Sequence, residues 1–201
     1  MKAKKVLALV LCAALLVAGS VAATLAYLTS KTEVVTNTFT VGSLSITLDE
    51  AKVTEYGVAV PGENRVMANA YKLIPGHNYL KDPTVHVAKG SEECYVFVKV
   101  ENGIAAIEAE DNTIAAQMAA NGWKQLIVDG VAVTDVYYYG NDEGAIKVDA
   151  RQAAVDRPVF ASFTVATGAD VSGYGNAAIK VTAYAAQADG LTVTAAWNAV
   201  K

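Results

Sequence analysis

Cys94-Tyr95-Val96-Phe97-Val98-Lys99-Val100-Glu101 decides the fold class. Cys94, Val96, Val98 and Val100 fall on one side of an extended chain, and Tyr95, Phe97, Lys99 and Glu101 on the other. That period of two predicts a β-strand with one better-buried face. Downstream, residues 123–128 and 131–139 are rich in β-branched and aromatic side chains and flank Asp129-Gly130. This pair favours a two-residue hairpin turn. Residues 159–166 and 178–187 read as two more strands. Upstream, Phe39 and Val41 point one way, and Leu44, Ile46 and Leu48 share a face after a phase slip at Gly42-Ser43, the mark of a bulge or tight bend.

Helix is the minority. Residues 113–121 are the best candidate, with Asp111 or Asn112 placed to cap the start and Gly122 to close the end. Residues 195–200 suggest a last short turn, and 104–110 fit either helix or loop. Loops carry Pro61-Gly62, Pro75-Gly76, Asp82-Pro83 and the glycine stretches 140–144 and 168–175. Many short strands with a helix inserted in a crossover predict a mostly β chain. The expected architecture is a two-sheet β-sandwich of jelly-roll type with one or two short helices.

The N-terminus reads as a secretory signal. Lys2, Lys4 and Lys5 precede an apolar run over residues 6–18, and small residues follow. Thr24 and Ala26 occupy the two positions that must fit a signal peptidase, which places the cut before Tyr27; cuts after Ala23 or Ser20 are the nearest rivals. A retained anchor is the alternative, but the apolar run falls short of the roughly 20 residues that span a bilayer. Cys12 lies inside the apolar run behind the bulky Leu11 and is not a lipoprotein cysteine. The expected organisation is therefore a signal peptide over 1–26, an N-terminal arm over 27–38 and a β domain over 39–201.

Cleavage would leave 175 residues with a net charge of −7. That length fits one domain, and the acidic balance argues against nucleic acid and anionic membranes as partners, because both demand clustered Lys and Arg. Cys94 would be the only cysteine left, so no intrachain disulfide is expected and burial must carry stability.

Signatures of catalysis are sparse. There is no H-E-x-x-H pair, no G-x-S-x-G elbow, no Gly-rich phosphate loop and no C-x-x-C pair, so no cofactor and no enzymatic activity are expected. His77 and His86 stand nine residues apart, too few ligands for a closed metal site. Cys94 sits on the apolar face, where a free cysteine behaves as a small hydrophobe and not as a nucleophile. Asn141, Asp142 and Glu143 lack the spacing of a calcium loop and read as a solvated turn. Tyr137, Tyr138 and Tyr139 could form a glycan- or protein-binding platform, but sheet packing is the plainer reading.

The junction A-T-L-A-Y-L-T-S-K-T-E-V-V-T-N-T-F-T-V-G-S-L-S-I-T-L-D-E, residues 23–50, resembles the secreted TasA/camelysin family of Gram-positive bacteria, whose signals are processed by a SipW-type peptidase. In that family a small-x-Ala cut is followed by an aromatic residue, a polar stretch and a strand of the form T-F-T-V-G-x-L-x-I-x-L. Segments 73–87, 94–103 and 181–190 are similar to the family's recurring strand blocks. The resemblance implies a jelly-roll subunit, exported to the cell surface or a biofilm matrix. There it assembles head to tail with itself, and with other matrix proteins as further partners. Tyr27, Leu28, Val34 and Val35 would then belong to a strand donated to the next subunit. The camelysin branch is described as a surface metalloprotease, an activity for which this chain carries no zinc motif. A monomeric surface adhesin is the other reading.

Overall fold

The computed structural model describes residues 43–201. These residues are mostly β, with two short α-helices. The strands are β1 (Ile46–Asp49), β2 (Asn78–Leu80), β3 (Thr84–Val87), β4 (Ser91–Asn102), β5 (Trp123–Val128), β6 (Val131–Asn141), β7 (Gly144–Ala145), β8 (Val148–Ala150), β9 (Val155–Pro158), β10 (Ser162–Thr164) and β11 (Ile179–Gln187). Helix α1 spans Ile114–Ala120 and α2 spans Val193–Val200. The largest sheet runs β11-β4-β6-β5, with β8 beside the start of β4 and β7 on the end of β6; β1-β3-β9 and β2-β10 form two smaller sheets.

β4 organises the rest. Its alternation places Cys94, Val96, Val98 and Val100 in the main core with Val85 and Val87 of β3, Tyr79 of β2 and Phe163 of β10. Leu44, Ile46 and Leu48 pack against the same cluster, as their shared phase predicts; Phe39, Val41 and Gly42 lie outside the described residues. The second face of β4 departs from the expected pattern. Tyr95 and Phe97 are buried too, beneath α2, where Trp197 sits 5.5 Å from the Phe97 ring and 5.3 Å from Tyr184. The predicted terminal turn is thus a two-turn helix that covers this face of β4 and β11. It begins at Thr192, whose hydroxyl accepts the Ala195 N–H.

The Asp129-Gly130 hairpin forms with φ of +52° and +79°, the positive pair that a type I′ turn requires. Helix α1 starts one residue later than expected. Thr113, not Asp111 or Asn112, accepts the Ala116 N–H, because the Glu108 carboxylate already takes the Ile114 N–H at 2.7 Å and sets where the helix begins. Gly122 ends the helix at φ +85°. The stretch 104–110 resolves into a single 3₁₀ turn, Ala105–Ile107, with a second at Glu110–Asn112.

The strand expected over 159–166 is not continuous. β9 pairs with β3 and β10 with β2, and Val159 and Phe160 between them turn fully into the core. Gln117 explains the break: its Oε1 accepts the N–H groups of Ala161 and Ser162, and its Nε2 donates to the Ser162 carbonyl. A helix side chain takes the hydrogen bonds a strand neighbour would have made.

Trp197→Ala leaves Phe97 and Tyr184 without their cover. The expected loss is about 3–5 kcal/mol, the usual cost of deleting a buried aromatic ring, read from urea unfolding midpoints. A loss under about 1 kcal/mol, the range of a surface change, would mean that α2 does not seal this face.

Candidate functional site

Among the described residues, β1 and β11 are outermost strands of their sheets. The chain leaves β1 at Asp49 and makes a backbone bridge from Glu50 to Val66 (2.8 and 2.7 Å). Residues 66–73 then pass alongside the start of β11. Two adjoining clefts lie here. One, about 510 Å³, is bordered by Tyr71, Lys81, Ile104, Phe163, Tyr174 and Ile179. The other, about 370 Å³, is bordered by Leu48, Glu50, Met67, Ala178 and Val181. Asn69, Lys81, Ala178 and Ile179 border both.

The floor between the clefts is polar and almost dry. The Lys81 and Glu50 side chains are 10% and 4% exposed, and Lys81 Nζ meets Glu50 Oε2 at 2.5 Å. The other Glu50 oxygen accepts Asn69 Nδ2–H at 3.0 Å. That amide also donates to the Ala51 carbonyl at 2.8 Å, while its own oxygen accepts the Val53 N–H at 3.1 Å. Tyr71 donates to the Leu80 carbonyl, and its ring lies 5.9 Å from Lys81 Nζ. Burial, with the Glu50 charge beside it, pushes the Tyr71 phenol well above its usual range.

A second cluster lies across the β1-β3-β9 sheet, where Thr47, His86 and Asp156 are in register. His86 Nδ1 faces Asp156 Oδ1 at 2.7 Å and Nε2 faces Asp49 Oδ1 at 2.9 Å. A ring that donates from both nitrogens is an imidazolium. Arg65 completes the cluster: it binds the Asp49 carboxylate through Nε and Asp82 through Nη1 at 2.8 Å. Its Nη2 reaches the backbone carbonyls of Asp49 and Asp82 and the Thr84 hydroxyl. Partial burial opposes charge on His86, but the bonds to Asp156 and Asp49 and their negative charges outweigh it and raise its pKa above 6.5. Burial likewise opposes charge on Asp49, and Arg65 and His86 outweigh it and lower that pKa.

Candidate residues read from the sequence occupy separate places. Cys94 is fully buried, and burial, aided by the charge of Glu93, pushes its thiol to about 11. His77 Nε2 pairs with the Tyr56 carbonyl at 2.9 Å, and its ring packs edge-on to Tyr79. The two histidines thus serve different partners. No group of three or more His, Cys, Asp or Glu among the described residues is arranged to hold a metal ion. At His86 the reason is plain: its two carboxylates sit on opposite ring nitrogens and share no centre. In the 141–143 turn, Asn141 accepts the Glu143 N–H and Asp142 pairs with Lys124. Tyr137 and Tyr139 pack on the main core and Tyr138 on the α2 side, the split that alternation predicts. Thr24, Ala26, Tyr27, Leu28, Val34 and Val35 lie outside the described residues.

Sequence reading missed Glu50, Asn69, Lys81, Asp49, Arg65 and Asp156. The one available signal was the acidic pair Asp49-Glu50 closing an apolar strand. No protein family, no curated protein and no solved structure matches the chain. Among the described residues, no helix is long and apolar enough to cross a membrane.

The His86 cluster gives a pH signature. A raised folded-state pKa means that the stabilisation is fully present below the unfolded value of 6.5 and is lost as pH rises through the folded value. Asp49 acts in the opposite sense: its contribution is present above 3.8 and is lost as pH falls through its lowered folded value. His86→Gln should therefore be less stable than the parent at mildly acidic pH, and the gap should close in alkali. Urea midpoints across pH measure this, and a gap that ignores pH would mean a neutral ring.

Proposed function

We propose that this chain is an exported, non-enzymatic structural subunit of the TasA/camelysin type, a two-sheet jelly-roll sandwich that polymerises outside the cell. Each copy donates its N-terminal arm, residues 27–38, to the next. The observation that carries this reading is the pair of outer strands β1 and β11. They lie on either side of one cleft, and among the described residues neither has a second strand partner. An extended segment laid along either free edge would find main-chain donors and acceptors there, and apolar contacts from Leu48, Ile179 and Val181.

The arm lies N-terminal to β1, separated from it by residues 39–45, so each copy would carry one donor and one acceptor. Such a head-to-tail contact does not close on itself, and it grows as a filament. Tyr27, Leu28, Val34 and Val35 supply the side chains that would seat in the cleft. Trimming by a signal peptidase would free the arm. The partner is then another copy of the same chain, with other matrix proteins as co-polymers.

The mature chain should sediment as polymer and appear as fibres by electron microscopy. A chain lacking residues 27–38 should stay a folded monomer, since Leu44, Ile46 and Leu48 remain to pack the core. Ala178→Arg is a second block: the site is exposed and borders both clefts, so a long charged side chain obstructs them without touching the core. Equal polymerisation of all three, or none by the mature chain over a range of pH, overturns strand donation.

A further inference from the structure

We infer that Lys81 and Asn69 become joined by an amide bond that the chain forms on itself, with Glu50 carrying the protons. A solitary Lys–Glu pair this deeply buried loses much of its hydration and returns little net stability. Here the same carboxylate does something more specific. One oxygen holds the Lys81 amine at 2.5 Å and the other holds the Asn69 amide nitrogen at 3.0 Å. A nucleophile, a proton carrier and an electrophile stand in one row. Val53 N–H points at the Asn69 carbonyl oxygen from 3.1 Å, where negative charge would develop during attack. The Ala51 carbonyl fixes the amide nitrogen that would leave. Tyr71 and Phe163 line the cleft beside the site, through which ammonia could leave.

The step balances without any outside reactant. A proton passes from Lys81 Nζ to Glu50 Oε2 along their hydrogen bond, leaving a neutral amine. The Nζ lone pair attacks Asn69 Cγ, and the carbonyl electron pair moves onto Oδ1, facing Val53. Glu50 protonates Nδ2, the carbonyl re-forms, the Cγ–Nδ2 bond breaks and ammonia departs through the cleft. Of the three protons on Nζ, one stays in the new amide and one completes the ammonia. The third rests on Glu50, from which it passes to the ammonia or to solvent. No oxidant, metal or cofactor enters.

The product would brace the 66–73 segment, which walls both clefts, to the residue just after β2. It would do so in a chain whose described part holds a single, buried cysteine and hence no disulfide. The inference stands whether or not the chain polymerises.

Trypsin digestion of the denatured full chain, followed by mass spectrometry, tests it. The expected product is a branched peptide in which residues 66–72 are joined through Lys81 to residues 73–89. It should be uncut after Lys81 and lighter by one ammonia than its two components. Glu50→Gln and Lys81→Arg should abolish it and yield the linear peptides. Full-yield cleavage after Lys81 in the parent protein overturns the inference, and this readout does not depend on whether either variant folds. So does a linear 66–72 peptide that has lost ammonia alone, which would mean that Asn69 cyclised onto its own backbone.

Discussion

β4 is apolar on both faces, and a strand of that kind is stable only if something covers each side. Val96, Phe97 and Val98, three successive residues, are completely buried. Residues pointing in opposite directions cannot reach one core, so two are needed. β1-β3-β9 and β2-β10 supply one cover, and α2 supplies the other, where Phe97 is joined by Leu126 and Val136 from neighbouring strands of the same sheet. Burying each large apolar side chain contributes on the order of 2 kcal/mol, so the C-terminal helix is integral to the fold.

That arrangement also determines where the polar chemistry lies. With β11 on the flank of β4, its outer edge lies beside β1, and the 51–73 connection borders the cleft that the two strands share. Backbone groups on that connection cannot all find strand partners. Glu50, Asn69 and Lys81 satisfy one another and the carbonyl of Ala51 in the space that remains. A buried polar network of this sort is costly if any member is left unpaired. Here each of the three has a partner.

The cluster on the outer face of β1-β3-β9 acts at longer range. Asp49, His86 and Asp156 come from three adjacent strands, and Arg65 from the loop beyond them. The raised pKa of His86 makes the attachment of β1 to β3 sensitive to pH. These side chains are partly exposed, so solvent screens each pair, and their weight comes from acting as a network.

Local geometry was legible in the sequence because it is a property of neighbouring residues. The alternation of β4, the shared phase of Leu44, Ile46 and Leu48, the Asp129-Gly130 turn and the Gly122 helix end all follow from pleat, sterics and φ preference. The split of Tyr137 and Tyr139 from Tyr138 follows from the same period. Tertiary structure alone decided the rest. Gln117 breaks the 159–166 strand from a distance of more than forty residues, and Glu108 moves the α1 cap to Thr113. Neither leaves a mark in local pattern. Glu50, Asn69 and Lys81 belong to three segments that meet only when β1 and β11 reach the same cleft. A carboxylate, an amide and an amine look like ordinary surface residues until the fold removes the water between them.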